Sequence, residues 1–325
     1  MKYELAIAHR VCPVLAKTAE GFTDKFEMVK ATTRSLANAI KGIRVKLIVI
    51  LDGCPVEYER LFDNTFGGEQ TASVDYERIS TSAIGNHATY AKQMEVLSAF
   101  VNDAEYVYFS EDDYIYRKDA FRAMMDFLKR PDVDFVTPLD HPDRYSHVIP
   151  ERIRVEVRVS SYCHWRDVGT TCCTFMTTSS TFIKARKLLE CYGKGGCDGT
   201  LWLGLTKDSV FSVYATLGVL LRYLTGRDKT WARCIAVSAW RFHKLKLLFS
   251  RHYRLWGPIP TLAVHLATPS LPPFAEELFV VFDKGRVEMI PKKGAASSLK
   301  GLVKWRGKPA TLSQMDDAIA RETCN

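Results

Sequence analysis

The chain has 325 residues, 47% of them hydrophobic, and a formal net charge of +8. That length suits one large α/β domain with appendages or two small domains, and the composition excludes a disordered chain. No run of about 20 apolar residues occurs, the best stretch, Ser209 to Leu221, being cut short at Arg222, so no spanning helix is expected.

In chain order, Tyr3–Ala8 reads as a first strand, and the short apolar core flanked by Glu4 and Arg10 lacks the middle region of a secretion signal. Asp24–Ile40 is amphipathic, and the apolar run Val45–Leu51 ends at Asp52-Gly53, giving a strand-helix-strand unit. Ser73–Ile79 predicts a third strand leading to Gly85-Asn86. Tyr90, Ala91, Met94, Leu97, Ser98 and Val101 then recur at helical spacing. Glu105–Phe109 is a strand that runs into Ser110-Glu111-Asp112-Asp113. Phe121, Met124, Met125 and Leu128 mark a helix closed by Pro131, and Asp134–Pro138 is a further buried strand. Alternating strands and helices of this kind predict a mostly parallel sheet flanked by helices.

Beyond residue 140 the rhythm loosens. Val155–Val159 alternates, Asp167–Thr178 reads as one extended strand, and Phe182–Tyr192 as a helix before the glycine turn 193–196. Residues 209–256 read as helical, basic and aromatic. Prolines at 258, 260, 269, 272 and 273 bracket an irregular segment around His265. Leu278–Phe282 and Arg286–Ile290 form a plausible hairpin, followed by a Gly/Ala/Ser linker and a short terminal helix. No internal repeat is visible. The implied division is 1–140, 141–273 with the basic segment, and 274–325.

Nine cysteines without a Cys-x-x-Cys pair fit a reducing cytosol, and the adjacent Cys172 and Cys173 read as buried thiols facing opposite sides of a sheet. The charge is uneven. Between Arg222 and Trp256 stand nine basic residues against Asp228 alone, while the rest of the chain balances. This points to an anionic partner for one face. Trp240, Leu245, Leu248 and Phe249 can share one helical face flanked by Arg241, Lys244 and Arg251. That face would rest on an anionic membrane surface, or else be an ordinary solvated helix.

The strongest chemical signal is Glu111-Asp112-Asp113 at the end of a hydrophobic strand, where ligands collect in open α/β sheets. Three adjacent acids repel unless a cation or donors offset them, and a divalent ion bridging a diphosphate does so. The alternative is a solvated acidic turn. Taken together, the strand ending in Asp52-Gly53, the helix opened by Gly85-Asn86 and carrying Lys92, and the strand into Glu111-Asp112-Asp113 resemble the nucleotide-binding half of GT-A glycosyltransferases, bacterial family 2-like. The resemblance covers roughly the first 140 residues, with Glu111 in place of the first acid of the DxD motif.

It implies a Rossmann-like GT-A fold with a C-terminal helical and hairpin extension, and an inverting, metal-dependent transfer of sugar from a nucleotide diphosphate to a hydroxyl. Asp113 would bind Mn2+ or Mg2+, and Glu111 or Asp112 would face the nucleoside. Asp52 would contact base or ribose, or merely form a turn. Lys92 would approach the diphosphate, or be a solvated helix position. Arg10, His9 and Asn86 would line the same pocket. Asp198, after the glycine turn, takes the position of the catalytic base, or is a helix N-cap. Trp202 would stack on a sugar or pack in the core. His265 would be a second metal ligand or a packed residue. The turn Asp140-His141-Pro142-Asp143-Arg144-Tyr145 would line a pocket or cap itself.

The implied partners are a nucleotide diphosphate sugar, a glycan or lipid-linked glycan acceptor of surface polysaccharide or glycolipid synthesis, and the inner face of the membrane. No nucleic acid is expected. A sugar nucleotidyltransferase is the nearest alternative, although Ala8-His9-Arg10-Val11-Cys12-Pro13 lacks its glycine-rich loop. A non-catalytic membrane or nucleic-acid-binding protein would leave the acidic triplet unexplained.

Overall fold

The computed structural model describes residues 1–14, 22, 24–68, 73–141, 144, 155–208, 210–211, 225, 239–266, 278–283 and 286–291. The expected linker and terminal helix, and Arg222, Arg227, Lys229, Trp231 and Arg233 of the basic segment, lie outside them. The chain divides into Met1–Ile290, which carries all of the site, and Pro291–Asn325.

The centre is a parallel block. β1 (Tyr3–Val11), β2 (Val45–Asp52), β3 (Val74–Thr81) and β4 (Ala104–Glu111) lie in the order β3-β2-β1-β4. Every residue of β2 is buried, as a central strand covered on both faces requires. Its Lys46 is held at one edge by Asp75 at 3.0 Å and Glu77 at 3.1 Å. The helices α1 (Lys25–Ala39), α2 (Val56–Phe66) and α3 (Asn86–Ala99) connect these strands. Asp24 caps α1 by accepting from the Phe26 amide at 2.6 Å. The sequence pattern does not mark α2, whose buried residues Tyr58, Phe62 and Phe66 make a single narrow ridge.

After β5 (Tyr114–Tyr116) and α4 (Ala120–Leu128), the other strands of the main sheet are β6 (Phe135–Val136), β7 (Val157–Val159), β8 (His164–Val168), β9 (Phe175–Thr178) and β10 (Leu255–Ile259). They extend the sheet to nine strands in the order β3-β2-β1-β4-β9-β6-β10-β8-β7. β9 runs antiparallel between β4 and β6, so strands from before and after residue 140 share one sheet. This is the α/β, helix-flanked architecture expected, with the continuous parallel pairing concentrated in the first four strands. Two hydrophobic cores line its faces. One is built on Leu5, Ile7, Leu47 and Phe62, the other on Ala6, Ala8, Tyr90 and Phe175.

Several expectations change. The single strand over Asp167–Thr178 is two, β8 and β9, interrupted around Cys172 and Cys173. His265 is not in an irregular segment but ends a strand, β11 (Ala263–His265), which pairs with β5 so that His265 opposes Tyr114. The continuous basic helix does not form over its described part. It is replaced by two short helices, α7 (Ala239–His243) and α8 (Lys246–Phe249), broken at Lys244, whose φ is +47°. Trp256 enters β10 instead and is fully buried, its ring edge-on to Phe127 at 5.4 Å. The expected hairpin is present as β12 (Leu278–Asp283) and β13 (Arg286–Pro291).

Candidate active site

The candidate site gathers at the carboxyl ends of β1 and β4, where α3, the turn after α5 (Ser179–Leu189) and α6 (Asp198–Thr206) bring in residues from other parts of the chain. Parallel pairing sets Arg10 beside Glu111. The Arg10 guanidinium donates to Glu111 Oε1 at 2.5 Å and to the Asn86 carbonyl at 3.0 Å, and also bonds the Asn86 side-chain oxygen. Asn86 in turn donates to the Tyr192 hydroxyl at 2.9 Å, and Tyr192 lies under the guanidinium, 5.8 Å from Arg10. Glu111 Oε2 accepts from Thr174 at 2.9 Å. Burial opposes charge on Arg10, but Glu111 outweighs it and keeps the group cationic.

The next two acids turn apart. Asp112 faces α1, accepting from Lys25 at 2.8 Å and from the Cys12 amide at 3.0 Å, while its carbonyl accepts from Thr32 at 2.8 Å. Its carboxylate is thereby committed to holding α1 against the sheet. Asp113 faces β11, where its Oδ2 meets His265 Nε2 at 2.9 Å and its carbonyl accepts from the Leu266 amide at 2.8 Å. The His265 ring stacks on Tyr114 at 4.7 Å and 11°. Burial disfavours charge on both partners, yet each holds the other ionised, with Asp113 below and His265 well above its ordinary value.

Asp113 Oδ1 is buried and, among the described residues, has no hydrogen-bond partner. An open carboxylate oxygen would suit a manganese- or magnesium-type ion whose other positions are filled by diphosphate oxygens, and His265 would join it as a ligand only by giving up the proton it holds against Asp113. Among the described residues no group of three or more His, Cys, Asp or Glu is arranged to hold an ion without such help.

Asp198 reaches the cluster from α6. It is the first residue of α6, and the N-cap is Cys197, which makes no side-chain capping bond. The capping alternative for Asp198 is therefore not what the fold uses. Its Oδ1 accepts instead from the Cys173 thiol at 2.9 Å. Burial first, then the nearby Glu111 charge, push Asp198 up to about 6, against the opposing pull of Cys173, Arg10 and His265. Cys173 is itself buried, and burial with the two acids raises its thiol well above the usual value.

The other expected residues fall into place around this centre. Asp52 is saturated by Thr81 at 2.7 Å and by the amides of Ile84 at 2.6 Å and Gly85 at 2.8 Å. It thus builds the loop that opens α3. Gly53, at φ +66°, lets this loop come close, since a Cβ there would stand 2.9 Å from Ala83 Cβ. Lys92 pairs with Glu95 at 2.7 Å along α3 and makes no described contact with the acidic cluster. His9 is buried and bonded to Ser110 at 2.8 Å, and burial with the Lys25 charge pushes it down to about 3, so it is neutral. Trp202 is fully buried and donates to the Cys172 carbonyl at 3.2 Å, which is core packing. Asp140 is buried against Arg166 at 2.5 Å, and Asp143 and Tyr145 lie outside the described residues.

Sequence reasoning missed Lys25, Thr174 and Tyr192. Tyr192 follows the end of α5 by only a short turn, and nothing in its local pattern distinguishes it from a core aromatic.

No protein-family profile and no curated protein sequence matches the chain. Among solved structures it is similar to a cytidylyltransferase from Leptospira borgpetersenii serovar Hardjo-bovis, at 8% identity over 57% of this chain and 64% of that one, with a TM-score of 0.33. It is also similar to residues 1–349 of S. aureus TarS, at 10% identity over 58% of this chain and 55% of that one, with a TM-score of 0.35. A third likeness is to a chain from Desulfovibrio desulfuricans G20, provisionally assigned as a nucleotide-diphospho-sugar transferase. It has 10% identity over 76% of this chain and 98% of that one, with a TM-score of 0.38. The chain thus spans less than two thirds of the length of the first two. TM-scores this low leave the chemistry to be read from the site's own residues.

Proposed function

We propose that the chain is a glycosyltransferase that moves a sugar from a nucleotide diphosphate to an acceptor hydroxyl with inversion. What supports this reading is one observation: an acid raised to about 6, Asp198, stands within electrostatic reach of the Glu111–Arg10 pair and of His265, the partner of Asp113, at the carboxyl ends of parallel strands.

Asp198 takes the proton of the acceptor hydroxyl. The acceptor oxygen forms the new bond to the anomeric carbon as the bond from that carbon to the diphosphate oxygen breaks, and the nucleoside diphosphate leaves with the electron pair. A base with a pKa near 6 is ionised at neutral pH yet accepts a proton more readily than an ordinary carboxylate. Arg10, held cationic beside the opening of α3, offers positive charge to the diphosphate, and Glu111 fixes its direction. Asp113, joined by His265 once its proton is released, would hold a divalent ion, Mn2+ or Mg2+, which when bound supplies further neutralisation of the leaving diphosphate.

The test is a panel of nucleotide diphosphate sugars, with and without manganese, read by protection against thermal unfolding and by slow donor hydrolysis. Protection by one donor class, strengthened by manganese, is expected. A panel in which no donor protects or is hydrolysed under either condition overturns the reading. Turnover of a nucleoside triphosphate with a sugar phosphate instead would move the protein to the nucleotidyltransferases.

A further inference from the structure

Helices α7 and α8 pack one side onto α6 and leave the other side apolar and open. His243 of α7 fits over Gly204 of α6, where any Cβ would collide with its ring, and its Nε2 meets the Thr200 carbonyl at 2.9 Å. Ala239 and Leu247 close the contact in a buried cluster with Leu203 and Val210. With that side satisfied, the large apolar residues of the two helices stand outside this buried cluster. Phe249 is 84% exposed, Leu245 68%, Leu248 48% and Trp240 41%, and Phe211 lies edge-on to the Trp240 ring at 6.1 Å.

Single exposed apolar residues are ordinary, but four large ones within ten residues of α7 and α8, with Phe211 against Trp240, mark an interaction surface. Its rim is basic. Arg241, Lys244 and Lys246 are exposed, and among the described residues none has a carboxylate within ion-pair distance. This separates them from Arg251 and Arg254, which are spent on the fold itself, Arg251 with Asp134 at 2.8 Å and Arg254 with Asp132 at 3.4 Å.

We propose that this patch docks on an anionic lipid bilayer, with Leu245, Leu248, Phe249 and Trp240 seated at the headgroup boundary and Arg241, Lys244 and Lys246 against lipid phosphates. Charge complementarity selects this occupant: exposed apolar residues interleaved in the chain with three exposed cations, of which only Lys246 feels an acid, Glu190, match an anionic interface and disfavour a second copy of the same basic patch. Among the described residues no helix is long and apolar enough to cross a membrane. The inference stands apart from the transfer reaction and is tested without donor or acceptor.

The experiment is flotation of the full chain with vesicles of phosphatidylglycerol and phosphatidylcholine in equal parts, and with phosphatidylcholine alone. The wild type should float with the anionic vesicles at low salt and be released as salt rises. The variant R241E/K244E/K246E should bind at least about a hundredfold more weakly, since each cation near such a surface is worth about fivefold. The variant L248S/F249S should lose at least about tenfold while keeping its melting temperature. Should the charge variant fail to fold, the lipid and salt dependence of the wild type still decides. Absence of flotation at low salt, equal binding to phosphatidylcholine alone, or a concentration-dependent dimer abolished by L248S/F249S without vesicle binding would each overturn the proposal.

Discussion

The Cys173 thiol donates to Asp198 Oδ1 at 2.9 Å across the link between β8 and β9, and this bond fixes how the first acid of α6 faces the Glu111–Arg10 pair. Asp198 is not using its oxygen to cap its own helix, so burial acts on it with little relief from backbone amides and raises it to about 6. A carboxylate kept this way costs stability, which the fold carries for the sake of chemistry under the proposed reading.

Asp198→Asn separates the two roles. The folded-state pKa lies above the ordinary value of 3.8, so the native protein binds more protons than the unfolded chain between those values and loses stability as pH rises through that window. Above about 6 the full penalty is present. Asparagine has no charge to bury, so the variant should be more stable than wild type at pH 7.5, by on the order of 1–3 kcal/mol, with the difference vanishing near pH 4. Transfer should fall by about a thousandfold or more with donor affinity unchanged. Denaturant melts at the two pH values and a transfer assay decide it; normal turnover returns Asp198 to a structural part.

The pH profile gives an independent check. A base that must be ionised makes the donor-saturated rate fall as pH drops below about 6, tenfold per unit. Cys173 is one of the groups that lower Asp198, so Cys173→Ala should move that limb to higher pH, while Cys173→Ser, which keeps a donor, should leave it nearly in place. A limb unmoved in Cys173→Ala would separate the acid limb from Asp198.

For the Asp113–His265 pair, the expectation is that both serve one ion. Asp113→Asn and His265→Gln should each weaken manganese binding in the presence of a nucleoside diphosphate by at least tenfold, read by manganese paramagnetic resonance. The double variant should be little worse than either single one, because residues sharing a ligand are not additive. Additive losses, or manganese bound equally by all four proteins, count against a shared site.

The parallel block was legible because β1, β2 and β4 are short apolar runs that must be buried on both faces, and because turn residues such as Asp52-Gly53 and Gly85 punctuate them. The acidic triplet was legible as a group but not residue by residue. Alternation at the strand end leaves open which way each acid turns, and only the packing of α1 and β11 sends Asp112 to Lys25 and Asp113 to His265. The segment beyond 239 misread for a similar reason. Its basic and aromatic pattern suits a helix, but Tyr253 is buried in the core and Trp256 belongs to β10, and that tertiary demand ends the helical stretch.

The Asp112–Lys25 pair leads to the last prediction. Both side chains are only 9% exposed, and the carboxylate also holds the Cys12 amide, so this pair locks the start of α1 over the ends of β1 and β4. Breaking a buried pair from one side strands the other charge and costs about 3–5 kcal/mol. Asp112→Asn keeps an acceptor for Cys12 but strands Lys25, and should lower the unfolding free energy by about that amount. Lys25→Met in the same chain should recover a good part of it, because the uncompensated ammonium is gone. Donor protection, measured below the melting point of each variant, should stay within about threefold of wild type, since Asp112 faces α1 and not the cluster of Glu111, Arg10 and Asp198. A stable Asp112→Asn protein that has lost donor binding would instead place this carboxylate among the donor contacts.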